Sequence, residues 1–252
     1  MKGKVFIMGR AHAVRAASMA KTAAAKSKLN AKYGTLIYMA AKSGLPDPDL
    51  NLNLKRAIDK AKREQVSADV IKRAIEKAQG GSTENYDSIR YEGFGPNNSM
   101  FIVECMTNNT NRTYTDIRTA FSRCGFKLGV DGSVLYMFDN KAVFGYEGLN
   151  DEETLDLLIL NDCDVDDIVY EEGLTMVTAP STEYAKIRDA ILEAMPEVDF
   201  LEDHITWIPK VYTTFTEEKD IEHLERLQNM LDEIDDVQDL YHNIKLPETS
   251  EE

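Results

Sequence analysis

The sequence predicts an α+β protein of three domains: an N-terminal helical bundle, a split α+β domain, and a ferredoxin-like α+β domain inserted in the split one. Three observations predict this class. The first third of the 252 residues is rich in alanine and shows helical periodicity. A central segment shows strand and helix patterns in the order βαββαβ. The segments on either side of it hold too few strands and helices to bury an apolar face alone, so we expect them to fold together.

The helical domain is predicted over residues 1–81. From Lys28 onward, apolar side chains recur on one face of a helix that we expect to stop at Gly44. Lys28 and Lys32 fall opposite this face at 100° per residue. This placement predicts that the bundle core does not need either ammonium group.

Two further helices are expected before the glycine pair at residues 80–81. Asp47 is the predicted N-cap of the second helix, with Pro48 at its first position. Ser67 is the predicted cap of the third helix, which ends at the glycines. Three such helices can form a small bundle, and the glycine pair predicts a domain boundary.

The inserted domain is predicted over residues 140–205. Its order of elements is that of the split βαβ unit, which closes its own core. The expected elements are a strand at 142–146, a helix at 151–160, strands at 168–171 and 174–178, a helix at 181–194 and a strand at 198–208.

The split domain is predicted over residues 82–139 together with 206–245, and residues 246–252 are a tail. The expected elements are strands at 89–91, 100–106, 133–138 and 237–243, and helices at 113–123 and 217–231. Between the first two strands, the segment at 93–97 predicts a hairpin turn rather than a phosphate-binding loop, because a strand and not a helix follows it. We expect Gly93 or Gly95 in this turn to adopt a backbone conformation that a Cβ disfavours.

The net charge of −15 is distributed very unevenly along the chain. Residues 1–80 carry a net charge of +11, and the first acidic residue is Asp47. Residues 139–252 carry a net charge of −25. The asymmetry favours a basic helical domain that meets a polyanion, carried on an acidic body that points away from it or binds basic protein surfaces. The alternative is a solvated polar surface that has no partner.

No pattern in the sequence predicts catalysis, a metal or a cofactor. The three cysteines form no close pair, so neither a disulfide framework nor a zinc site is expected. The familiar nucleotide-binding, zinc-protease and serine-hydrolase motifs are absent. An EF-hand-like start at Asp162 lacks the glycine and the glutamate that such a loop needs. With neither a membrane span nor a signal segment, the protein is expected to be soluble, cytoplasmic and without a membrane partner.

Several stretches resemble the YebC family. Residues 90–96 read RYEGFGP, residues 109–113 read NTNRT, residues 128–134 read LGVDGSV and residues 235–243 read DDVQDLYHN. The start at residues 8–10 and the PDPDLN stretch at residues 46–51 resemble the YeeN-like branch of the family. The similarity spans residues 8 to about 245 and implies three domains, one of them inserted in another.

The resemblance also implies a function. The family is commonly described as cytoplasmic, DNA-binding transcriptional regulators. Its mitochondrial relatives are translational activators of cytochrome oxidase, and bacterial members have been connected with ribosomes and with difficult peptide-bond formation. The family implies no enzyme activity, cofactor or catalytic residue.

The sequence therefore favours a non-enzymatic, nucleic-acid-binding regulator of gene expression, with DNA or rRNA as the partner. One alternative is a ribosome-binding translation factor that assists the synthesis of difficult peptide sequences, and another is an acidic protein-interaction module. Arg112 is a candidate phosphate contact outside the helical domain, with an ion pair to a nearby acid as the alternative. The candidate nucleic-acid-binding residues are Arg10, Arg15, Lys21, Lys26, Lys28, Lys32, Lys42, Arg56, Lys60, Arg63 and Arg112.

Overall fold

A computed structural model describes residues 23–80 and 85–246 of the chain, with side chains from residue 28 onward. The described residues form two compact units. One comprises residues 23–137 and 211–246, and the other comprises residues 138–210. No helix in the described ranges is both long and apolar enough to cross a membrane.

Three helices open the larger unit: α1 (Ala23–Lys42), α2 (Leu52–Arg63) and α3 (Ala68–Gln79). They pack around a common apolar core in which Ile37 and Leu54 are fully buried. The apolar face predicted for the first helix is thus confirmed, and α1 ends just before Gly44 as expected.

The start of α2 differs from the prediction, since Asn51 and not Asp47 caps it. The Asn51 side-chain oxygen accepts a hydrogen bond from the N–H of Leu54 at 3.1 Å, and its amide nitrogen donates to the carbonyls of Ala40 (2.9 Å) and Leu45 (2.8 Å). An aspartate cannot donate, so only asparagine can join the end of α1 to the start of α2 in this way. Ser67 caps α3 as predicted.

The larger unit continues as a four-stranded sheet covered by two helices. The elements before the insertion are β1 (Asp87–Phe94), β2 (Met100–Thr107), α4 (Thr110–Arg123) and β3 (Lys127–Leu128). Those after it are β8 (Thr213–Thr214), α7 (Glu218–Asp232), β9 (Val237–His242) and β10 (Ile244–Lys245), with β8 and β10 paired as a separate parallel ribbon. The sheet order is β3-β1-β2-β9, and all its pairs are antiparallel. Phe101 and Phe121 share one core with Leu227, so both halves of the split domain form it, as predicted.

A predicted strand at 133–138 is wrong. Residues 135–137 form a short 3-10 helix, and the next strand begins at Phe138 in the other unit. The buried carboxylate of Glu92 accepts hydrogen bonds from the backbone N–H groups of Gly132 (2.7 Å), Val134 (2.5 Å) and Leu135 (3.0 Å). Because these three N–H groups donate to Glu92, they are not available for hydrogen bonds to a neighbouring strand.

The hairpin turn between β1 and β2 is present, but its glycines are needed for space and not for backbone conformation. The left-handed residues of the turn are Asn97 (φ 54°) and Asn98 (φ 58°), whereas Gly95 has φ −137°. A Cβ on Gly93 would lie 2.2 Å from the ring of Phe121, and one on Gly95 would lie 2.4 Å from the ring of Phe126. The expectation of a disfavoured glycine conformation is therefore wrong.

The smaller unit is a ferredoxin-like fold, as predicted. The elements are β4 (Phe138–Glu147), α5 (Asp151–Leu160), β5 (Asp167–Glu171), β6 (Leu174–Pro180), α6 (Tyr184–Ala194) and β7 (Phe200–Pro209). The antiparallel sheet has the order β5-β6-β4-β7, and both helices contribute to the core of the unit. The sheet reaches from Phe138 to Pro209, which pair with each other, and so extends beyond the predicted limits of 140–205 at both ends. The domain boundaries themselves stay predictions.

Candidate nucleic-acid interface

Four of the candidate binding residues cannot be placed. Arg10, Arg15 and Lys21 lie outside the described residues, and Lys26 belongs to α1 but its side chain lies outside them too. The remaining candidates fall on α1, on α2 and on α4.

Lys28 and Lys32 are engaged with the split domain. The Nζ of Lys28 lies 2.7 Å from a carboxylate oxygen of Asp232. The Nζ of Lys32 lies 2.7 Å from a carboxylate oxygen of Asp239 and 2.5 Å from the carbonyl oxygen of Gln238. The two lysine side chains are only 25% and 19% exposed. The face of α1 opposite the bundle core therefore contacts the α7–β9 region and is not an open phosphate-binding surface.

Lys42, at the end of α1, belongs to a cluster of cations and aromatic rings. Its Nζ lies 2.8 Å from the side-chain oxygen of Asn85 and 5.6 Å from the centre of the Tyr38 ring. The Nζ of Lys77 on α3 lies 5.1 Å from the same ring, and Tyr86 packs edge-on against it at 6.0 Å. The cluster concentrates positive charge beside two tyrosines.

The most basic exposed element is α2. Its twelve residues carry five bases and a single acid, Asp59. Lys60 and Arg63 are exposed, and Arg56 is half-buried. Exposed bases continue on α3, where Lys72 pairs with Glu76 at 3.8 Å and Arg73 with Asp69 at 2.5 Å. The α2 basic face is defined here as Lys55, Lys60, Lys62 and Arg63.

Arg112, near the start of α4, makes an ion pair. Its Nη2 donates to both carboxylate oxygens of Asp236, at 3.0 and 2.8 Å, and lies 3.3 Å from the side-chain oxygen of Asn108. Asp236 is nearly buried and also accepts the hydroxyls of Thr107 (3.1 Å) and Thr113 (2.7 Å). This hydrogen bond to Asp236 raises the pKa of the Arg112 guanidinium. In the structure, Arg112 thus forms an ion pair with an acid, which was the alternative to a phosphate contact. Half of the Arg112 side chain is nevertheless exposed.

The family-like stretches bind one another. Glu92, within RYEGFGP, holds the LGVDGSV loop, and Arg112 of NTNRT holds Asp236 of DDVQDLYHN. Asn243, from the end of DDVQDLYHN, accepts from the N–H of Met100 at 2.8 Å and donates to the carbonyl of Asn98 at 3.3 Å. These residues therefore stabilise the fold of the split domain. Sequence reasoning missed the pairings because the partners lie far apart in the chain.

A cleft lies between the helical bundle and the split domain, and sequence reasoning did not find it. Its volume is about 940 Å³. One face each of α1, α3 and α4 lines it, together with the end of α7 and the turn that follows as far as Asp236. The charged residues on its walls are Arg73, Lys77, Arg112, Asp116, Glu233, Asp235 and Asp236.

The described residues offer no obvious metal or thiol chemistry. No group of three or more His, Cys, Asp or Glu side chains that could hold a metal occurs among them. All three cysteines are free and buried. Burial raises the pKa of the Cys105 thiol to about 12, which keeps it protonated and unreactive.

Together these features define an α+β protein with a basic helical bundle and an acidic remainder. Comparison with protein-family models matches residues 10–81 to the TACO1/YebC protein N-terminal domain. Residues 86–244 match the TACO1/YebC second and third domain. The chain belongs to the TACO1/YebC family.

Relatives of known name agree with this assignment. A protein of Pseudoalteromonas translucida is 50% identical over 236 residues, which cover 94% of this chain and 98% of the relative. A protein of Acholeplasma laidlawii is 51% identical over 237 residues, with the same coverage. Both are named probable transcriptional regulatory proteins. The crystal structure of a conserved hypothetical protein from Aquifex aeolicus is similar, with a TM-score of 0.74 and 29% identity over 92% of this chain and 95% of that one.

Proposed function

We propose that this protein is a non-enzymatic regulator of gene expression that binds nucleic acid in the cytoplasm, as a transcriptional regulator on DNA. The names of its relatives support regulation of transcription. The observation that carries nucleic-acid binding is the α2 basic face, because its four exposed lysine and arginine side chains belong to a helix that holds a single acid. Such a concentration of positive charge attracts a phosphate backbone.

The contacts of the helical bundle reduce the set of residues available for binding phosphates. Lys28 and Lys32 already pair with Asp232 and Asp239, so they support docking within the protein and not phosphate binding. The residues 138–210 carry 19 acids and 4 bases and would repel a polyanion. The α2 basic face, extended by the exposed bases of α3, is therefore the proposed surface.

Affinity for a fluorescent 30-base-pair DNA duplex, measured by anisotropy at several salt concentrations, tests this proposal. The double variant Lys55→Gln, Lys62→Gln should bind more weakly, and the slope of log affinity against log salt should fall by about 0.9 for each lost phosphate contact. The control is Lys186→Gln in the unit of residues 138–210, called the acidic unit below. This variant should bind the duplex like the wild type. A wild-type protein whose affinity does not change with salt would exclude binding through this face.

A ribosomal RNA target is the second candidate. The α2 basic face consists of lysine and arginine, whose charge is suited to contacts with phosphates. Recognition by backbone and shape suits folded RNA at least as well as a DNA operator. Competition of a folded rRNA fragment against the labelled duplex, together with sedimentation of the protein with ribosomes, distinguishes the two targets.

The acidic unit supports a further partner of the opposite charge. Its charge of −15 favours basic protein surfaces, such as those of ribosomal proteins. A pull-down with the unit of residues 138–210, which has its own core, tests whether such proteins are retained at low salt and released at high salt.

A further inference from the structure

We propose that the cleft between the helical bundle and the split domain binds one unstacked nucleotide of the nucleic acid. The nucleotide's phosphate would lie between Arg112 and the bases of α3, and its base would enter the apolar interior. This inference rests on the proposed function. The volume of about 940 Å³ is within the range of small-ligand sites.

Arg112 is oriented for an anion by its own ion pair. All the hydrogen bonds of its side chain within the described residues run through Nη2, to Asp236, Asn108 and Thr107. Its Nε and Nη1 make no hydrogen bond within the part of the chain that the structure describes, and half of the side chain is exposed. A guanidinium held at one nitrogen keeps the other donors in a fixed plane, which matches a phosphate. Arg112 is one of the residues that line the cleft.

The opposite wall carries the second half of an anion clamp. Arg73 and Lys77 lie one turn apart on α3, and both line the cleft. Lys77 lies over the Tyr38 ring, while Arg73 pairs with Asp69 on the exposed surface, where such a pair contributes little and can exchange. A phosphate between the two walls would therefore meet cations from both domains.

The remaining lining favours a nucleotide over a bare anion. The cleft walls hold four acids against three bases, so inorganic phosphate alone is repelled as well as attracted. Asp116 lies one turn after Arg112 and is exposed. Its carboxylate can accept hydrogen bonds from the amino groups of adenine, cytosine or guanine. The larger apolar side chains on the walls, which a base could contact, are Val70, Met106, Met230 and Ile234.

Isothermal titration of the full chain tests the site with AMP, CMP, GMP, UMP and inorganic phosphate as probes. We expect saturable binding of one or more of the four nucleotides, and binding about tenfold weaker for inorganic phosphate, which has no base to enter the cleft. Lys77→Gln and Asp116→Asn should each weaken the best nucleotide about tenfold. Lys72→Gln, on α3 but outside the cleft, is the matched control for Lys77→Gln and should change nothing.

Arg112→Lys provides an independent variant, because it keeps a cation beside Asp236 but loses the planar set of donors. It should weaken the nucleotide about tenfold. If this variant does not fold, Lys77→Gln and Asp116→Asn carry the test alone. Absence of saturable binding, or equal affinity for phosphate and nucleotide, would overturn the inference. If the nucleotide site fails this test but the wild-type protein binds the DNA duplex or the rRNA fragment, the proposed function stands. If the wild-type protein binds neither, the proposed function and the nucleotide site are both excluded.

Discussion

Replacing Lys32 by methionine should loosen the contact between the helical bundle and the split domain. The substitution keeps the apolar stem of the side chain and removes the charge. It leaves Asp239 without its ammonium partner at 2.7 Å and the Gln238 carbonyl without its donor at 2.5 Å. Both partners belong to β9 of the split domain. The substitution should therefore reduce the free energy that holds α1 against this domain.

The magnitude follows from the geometry. Coulomb's law gives about 6 kcal/mol for charges 2.7 Å apart at an effective dielectric constant of about 20. Desolvation of both groups and the ordering of a long side chain cancel most of it, and Asp239 is 45% exposed. The hydrogen bond to the Gln238 carbonyl adds about 1 kcal/mol. We therefore expect a net loss of about 1–2 kcal/mol.

Hydrogen exchange of the α1 amides, followed by mass spectrometry, measures this loss. A double-mutant cycle with Asp239→Asn isolates the pair. Lys72→Met is the control, since Lys72 is 75% exposed and its pair with Glu76 should contribute less than about 0.5 kcal/mol. A coupling energy below about 0.3 kcal/mol between Lys32 and Asp239 would refute the reasoning.

Three further predictions concern the split domain and the insertion. Arg112→Ala should lower stability by about 1–3 kcal/mol, because it leaves the nearly buried Asp236 carboxylate without its cation; an unchanged melting temperature would show that the pair is dispensable. Gly95→Val should destabilise by about 1–3 kcal/mol through overlap with the Phe126 ring, and a change below about 0.5 kcal/mol in a urea titration would contradict it. Replacing residues 138–210 by a short linker should leave a folded protein with cooperative unfolding, since the larger unit has its own core; aggregation of the shortened chain would argue against two separate cores.

Periodicity predicted the elements that bury a continuous apolar face. The order βαββαβ, for example, follows from local patterns alone, and the sheet order β5-β6-β4-β7 agrees with it. The predicted strand at 133–138 failed for a non-local reason. The carboxylate that holds this loop belongs to Glu92, on β1, and no local pattern indicates that a buried acid recruits three backbone donors there.

The candidate site was less predictable than the fold. Helical spacing placed Lys28 and Lys32 opposite the bundle core, which is correct, but it could not tell solvent from a neighbouring domain. That face of α1 contacts acids more than 200 positions away in the chain. A lysine in a sequence can pair with a phosphate of a nucleic acid or with a carboxylate of its own chain. The sequence pattern did not distinguish these two partners. The α2 basic face became the preferred candidate surface because the lysines of α1 pair with acids of the split domain.

The same distinction bears on how the protein could respond to nucleic acid. The carboxylates of Asp232 and Asp239 occupy lysines that a phosphate backbone would otherwise attract, so binding along α1 requires exchange of one anion for another. Lys55 and Lys62, by contrast, are exposed and have no ion pair among the described residues. Reversal of Lys28 and Lys32 to glutamate would therefore separate the bundle from the split domain by repulsion as well as weaken any binding. Neutral variants of Lys55 and Lys62, which leave that docking intact, are the ones that report on nucleic acid alone.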